Sequence, residues 1–163
     1  MKAKLLVAIV SFNSITFVAE AQKSEAEIEA VVNLLTVQKK EAVAKLVSVS
    51  AKDSVIFWKV YADYQKDNQK LMKDRINLYQ GTANSYDNLT NAVADSLAAK
   101  YFGNREDQEK LLESYYKKFK AATNSVAAFQ FYQAETYLLT QIRANIMSQI
   151  PTYGELQKIF KKN

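Results

Sequence analysis

The chain has no cysteine and no histidine, and only three glycines and one proline in 163 residues. Each shortage removes a class of chemistry or architecture. Without cysteine no disulfide can form, so packing alone must hold the fold. A lipid anchor at a bacterial lipoprotein processing site is excluded for the same reason. Without histidine the usual general base and the commonest transition-metal ligand are missing. Cys/His zinc sites, serine hydrolase triads and thiol protease pairs in their usual forms go with it. A carboxylate-only calcium or magnesium site is chemically open, but no Asp-x-Asp-x-Asp-Gly loop occurs. So few glycines leave neither Gly-x-Gly-x-x-Gly nor Gly-x4-Gly-Lys to cradle a phosphate. The composition points away from an enzyme and predicts no cofactor and no metal.

What is present begins with an export signal. Met1-Lys2-Ala3-Lys4 is a basic start, Leu5 to Val18 is a mostly apolar run, and Ala19-Glu20-Ala21 has the small-x-small pattern of a signal-peptidase site. The apolar run is about 14 residues and is broken by Ser11, Asn13, Ser14 and Thr16, too short and too polar for a bilayer needing ~20. Residues 1–21 are expected to be a cleaved signal peptide. The mature chain would then start at Gln22 as a soluble periplasmic or secreted protein, without stable membrane insertion. Cleavage removes Lys2, Lys4 and Glu20 and lowers the net charge from +5 to about +4. The remainder suits one domain, read as a helical domain over 22–152 and a basic tail over 153–163.

Abundant Ala, Lys, Glu, Gln and Leu predict an all-α protein. Four long helices follow from apolar residues three and four apart. The first is expected over Ser24–Val49, on a stripe of Ile28, Val31, Leu35, Gln38, Ala42, Leu46 and Val49 with Gln38 as its one mismatch. Ser50-Ala51-Lys52-Asp53 reads as a capping box opening a second helix over Ala51–Gln80, stopped by Gly81. Its stripe is aromatic, with Phe57, Tyr61 and Tyr64 ahead of Leu71 and Leu78. Thr82–Asn88 is expected as a polar connector. A third helix spans Thr90–Ala122, with a kink or break at Phe102-Gly103-Asn104. Thr123-Asn124-Ser125 starts a fourth through Phe129, Phe131, Leu138, Ile142 and Ile146 to Ile150, where Pro151 ends it. An antiparallel bundle or paired helical hairpins satisfy this pattern. The aromatic pairs Phe57-Trp58 and Phe131-Tyr132 each follow a capped turn and hint at a duplicated hairpin.

Two groups of residues stand out for function. Phe57, Trp58, Tyr61, Tyr64, Tyr115, Tyr116, Phe131 and Tyr132 either fill an aromatic core or line a groove for extended polypeptide. The basic aromatic stretch Tyr115-Tyr116-Lys117-Lys118-Phe119-Lys120 fits both readings, and export argues against nucleic acid. Arg75, Glu135 and Arg143 fall on faces that should be buried. Buried charges need partners, so Arg75 is expected to pair with Glu135 across two helices, beside Arg143.

Phe57-Trp58-Lys59-Val60-Tyr61-Ala62-Asp63-Tyr64, Asp74-Arg75, Phe131-Tyr132-Gln133-Ala134-Glu135 and Ile150-Pro151 together resemble a family of uncharacterised exported bacterial helical proteins. That family in turn resembles the Spy/CpxP group of periplasmic stress proteins, whose hairpins carry a Leu-Thr-x-x-Gln turn. Here the matching turns read Val49-Ser50-Ala51-Lys52-Asp53 and Ala122-Thr123-Asn124-Ser125-Val126, neither with the glutamine. The resemblance implies a helical periplasmic binding protein, a chaperone or envelope stress-response module, with polypeptide as its partner. Metal sensing is not implied, because the histidine ligands are missing. The alternative is a structural or adaptor protein packed against an envelope partner. Spy-like proteins pair into cradles, so an exposed apolar stripe would favour a homodimer and a closed bundle a monomer.

Overall fold

The computed structural model describes residues 25–148, and within them the chain is all α-helix and turn, with no strand. The expected signal peptide, its expected cleavage site near Ala21, Pro151 and the expected basic tail lie outside the described residues. The four helices are α1 Glu25–Leu46, α2 Ser54–Ser85, α3 Asn91–Ala122 and α4 Ser125–Met147. Their short connections force neighbours to run antiparallel. Cross-helix contacts show the register: Asp67, Arg75 and Thr82 of α2 meet Tyr115, Asn104 and Tyr101 of α3. Thr36 of α1 accepts from Gln65 of α2, and Phe119 of α3 stacks near Phe131 of α4. Lys39 of α1 reaches Glu135 of α4, which closes the ring. The result is an up-down-up-down four-helix bundle.

The ends of the helices follow local chemistry. Asn124 Oδ1 accepts from the amides of Val126 and Ala127 at 2.9 and 3.0 Å, capping α4. Thr90 caps α3 in the same way through Val93 N. The expected capping box at α2 does not form. Ser50 Oγ instead donates to Asp53 Oδ2 at 2.7 Å, inside a turn that closes before the helix begins at Ser54. Two further expectations turn on glycines. Helix α2 runs through Gly81 to Ser85, followed by a 3-10 turn at Tyr86–Asn88, so the connector is shorter than Thr82–Asn88. Helix α3 passes unbroken through Gly103. A glycine stops a helix only where a left-handed residue is needed, and cross-hairpin partners such as Tyr101 on Thr82 hold both helices past these positions.

The core has two parts. Around the connections α1–α2 and α3–α4 it is aromatic, with Phe57, Tyr61, Tyr64, Tyr115, Phe119 and Phe131 packed among Ala42, Val43, Leu112 and Leu138. Small residues on α4, Ala128 and Ala134, face these rings and leave them room. The other half is aliphatic, built on Ile28, Val32, Leu35, Met72, Ile76 and Ile146 with Tyr79. At the junction sit the buried polar side chains of Lys39, Gln65, Asn68, Gln108 and Glu135. The buried face of α1 is therefore Ile28, Val32, Leu35, Lys39, Ala42 and Val43. It is rotated from the expected stripe, and Lys39 takes the inward place expected for Gln38.

Candidate functional site

Glu135 is completely enclosed, and three donors from two helices converge on it. Tyr61 Oη donates to Oε1 and Tyr64 Oη to Oε2, each at 2.8 Å. Lys39 Nζ lies 2.7 Å from Oε2, an ion pair buried on both sides. The same ammonium stands 5.2 Å from the centre of the Tyr64 ring. Gln65 Nε2 joins the network by donating to Tyr61 Oη at 3.1 Å and to the Thr36 carbonyl at 2.8 Å. Burial, and then the Glu135 charge, push both phenols far above their ordinary range, so they stay protonated and donate. The arrangement satisfies a buried carboxylate. It leaves no solvent-facing atom to meet a substrate.

The predicted bridge is thus rewired. Glu135 pairs with Lys39, and Arg75 lies elsewhere. Arg75 Nε donates to Asn104 Oδ1 at 2.6 Å, while Asn104 Nδ2 donates to the Leu71 carbonyl. The reason is axial position. On α2, Tyr61 and Tyr64 stand level with Glu135, and Arg75 is about three turns further along. Arg143 does come close to Arg75, and the two share a cavity of about 240 Å³ with Arg105. Burial and the neighbouring Arg143 charge pull the Arg75 guanidinium below its usual value. Among the described residues, none of the three arginines has a carboxylate within ion-pair distance.

The aromatic candidates split. Phe57, Tyr61, Tyr64, Tyr115 and Phe131 are core residues, so they line no open groove. Their rings pack edge-on or tilted against one another, Tyr64 against both Tyr115 and Phe131 for example. Trp58, Tyr116 and Tyr132 are half-buried at the edge of this core. Each aromatic pair after a turn therefore turns its first ring inward and its second toward the surface. Tyr115 Oη donates to Asp67 at 2.6 Å, with Lys118 Nζ 3.8 Å over its ring.

Between α3 and α4 a surface groove of about 490 Å³ is lined by Tyr116, Tyr132 and Phe129, with Glu106, Glu109, Lys110 and Glu113 along its α3 wall, where Lys110 pairs with Glu106 and Lys117 with Glu113. Phe129, one of the apolar residues through which the fourth helix was expected to run, is 54% exposed. Its neighbours Ala128 and Phe131 take the inward positions. Among the described residues no group of three or more acidic side chains is arranged to hold a metal ion. No helix among them is long and apolar enough to cross a membrane.

Sequence reasoning missed Lys39, Asn104 and the α3–α4 groove. Lys39 could have been found, since Ile28, Val32, Leu35, Lys39 and Ala42 keep a strict four-and-three spacing. Asn104 looked like part of a helix break and gave no signal of burial. Compared with known proteins, the chain matches no protein-family model, no curated protein and no solved structure.

Proposed function

We propose that this chain is an exported, non-enzymatic helical adaptor that offers its α3–α4 groove to a polypeptide partner in the bacterial envelope. The observation that carries this reading is the groove itself. It combines a largely exposed Phe129 with Tyr116 and Tyr132, beside an α3 wall on which Glu106 and Glu113 are paired with Lys110 and Lys117 and Glu109 has no ion pair among the described residues. Aromatic side chains give large contact area at low entropy cost. The Glu109 carboxylate, which has no ion pair among the described residues, favours a partner with a basic residue beside an apolar anchor. A Spy/CpxP-like holdase, the reading favoured by the resemblance, needs an aromatic concave face. Five of the eight aromatics that would form it are spent on the core, so the adaptor reading is preferred.

A photo-reactive amino acid placed at position 129, and in parallel at the exposed position 66 of α2, tests this in the producing cell. One discrete cross-linked partner from position 129 alone, lost on Glu109→Lys, is expected. Equal labelling from both positions, together with suppression of aggregation of a denatured client that weakens as salt rises, would favour the holdase instead. Fractionation of the same cells should find the protein in the periplasm, with Gln22 at its N-terminus.

A further inference from the structure

The three arginines of the cavity come from three helices, Arg75 from α2, Arg105 from α3 and Arg143 from α4. Like charges brought together repel, and the half-buried Arg75 and Arg143 also lose hydration, so the grouping favours a counter-charge. Elsewhere the rule is obeyed, since the one deeply buried lysine among the described residues, Lys39, sits on Glu135. Here no carboxylate among the described residues plays that part. Arg143 Nε is cut off from solvent and has no hydrogen-bond acceptor among the described residues. Arg75 is held in place from behind, its Nε fixed by Asn104. Thr82 lends a hydroxyl to the wall, and Phe102 and Met147 supply apolar surface.

We propose that this cavity binds a small molecule bearing a carboxylate or phosphate group, with the guanidinium groups of Arg75, Arg105 and Arg143 as its anion-holding residues. Guanidinium forks match the oxygen geometry of both groups and are stronger partners than ammonium in such a setting. The volume, about 240 Å³, falls below the roughly 300–1,000 Å³ of sites for drug-sized ligands. The ligand is therefore small, an anionic head with at most a short apolar or planar body against Phe102 and Met147. This site is separate from the α3–α4 groove, and either can exist without the other.

Calorimetric titration of the full mature protein with inorganic phosphate and with benzoate, at an ionic strength matched by sodium chloride, tests the proposal and separates the two headgroups. Saturable one-to-one binding of at least one of them is expected. Losing a charge-assisted hydrogen bond should weaken it about tenfold or more in Arg143→Gln and in Arg105→Gln. Arg105 is an exposed residue, so its variant keeps the test meaningful should Arg143→Gln unfold. Lys118→Gln, at the aromatic half of the bundle, should bind as the parent does. Heats that do not saturate, or that both arginine variants reproduce, would overturn the site. Binding seen only after Glu155→Gln, which removes the one acidic side chain beyond α4, would overturn it too, by showing that the chain's own carboxylate is the occupant.

Discussion

Lys39 has only 1% of its surface exposed and Glu135 none, and they meet at 2.7 Å with two tyrosine hydroxyls on the same carboxylate. In such a place the pair's net gain over an apolar substitute is small, while the cost of breaking it is large. Lys39→Met leaves a buried carboxylate facing only neutral donors and should cost about 3–5 kcal/mol in urea unfolding. Lys39→Met combined with Glu135→Gln should cost clearly less than the two single changes added together, because no unpaired charge is left. Additive costs would mean that the two side chains do not interact. The sequence showed that a charge at Glu135 lies on a buried face, since Phe131 and Leu138 flank it at helical spacing. It could not choose the partner. Arg75 and Lys39 were both available, and the axial offset between helices decided for the lysine.

At the level of the helix, the existence and order of α1 to α4 were legible because their apolar spacing is long and regular. Their ends were less so. Gly81 looked like a stop and Gly103 like a kink or break, but neither occupies a left-handed position, and both lie inside helices. A Cβ at Gly81 would meet only Leu97 Cδ2 at 3.9 Å, and one at Gly103 meets nothing within 4 Å. Replacing either by alanine should therefore raise stability by roughly 0.5–1 kcal/mol, through the backbone freedom removed from the unfolded chain. The cap of α4 should respond in the opposite sense. Asn124→Ala removes the acceptor for two amides and should cost about 1 kcal/mol. Thermal unfolding of the three variants checks all of these, and a destabilising Gly103→Ala would show that its helix needs the glycine.

Across the molecule the core is uneven. Its aromatic half is dense with fully enclosed rings, whereas no residue from Gln80 to Gly103, the tip of the α2–α3 hairpin, is fully buried. Local opening is cheapest where few apolar contacts must be broken. Native-state hydrogen exchange should therefore be fastest among the helical amides of Gln80–Ser85 and Asn91–Gly103. It should be slowest around Tyr61, Tyr115 and Phe131. Uniform protection along α2 and α3 would contradict that gradient. The cavity of the three arginines lies beside this less buried tip, so ligand binding there would also be read as added protection.

The sequence by itself determined that the protein is all-helical, that four amphipathic segments follow one another in this order, and that histidine, cysteine and glycine-loop chemistries are excluded. Those properties depend on composition and on spacing within one helix, which neighbouring residues settle among themselves. Only the tertiary structure decided that five candidate aromatics fill a core, that Glu135 takes Lys39 and not Arg75, and that three arginines share one cavity while Phe129 stands in a groove. Each of these depends on how far one helix is shifted and rotated against the next. That offset is set by the packing of whole faces, so no single stripe of residues contains it.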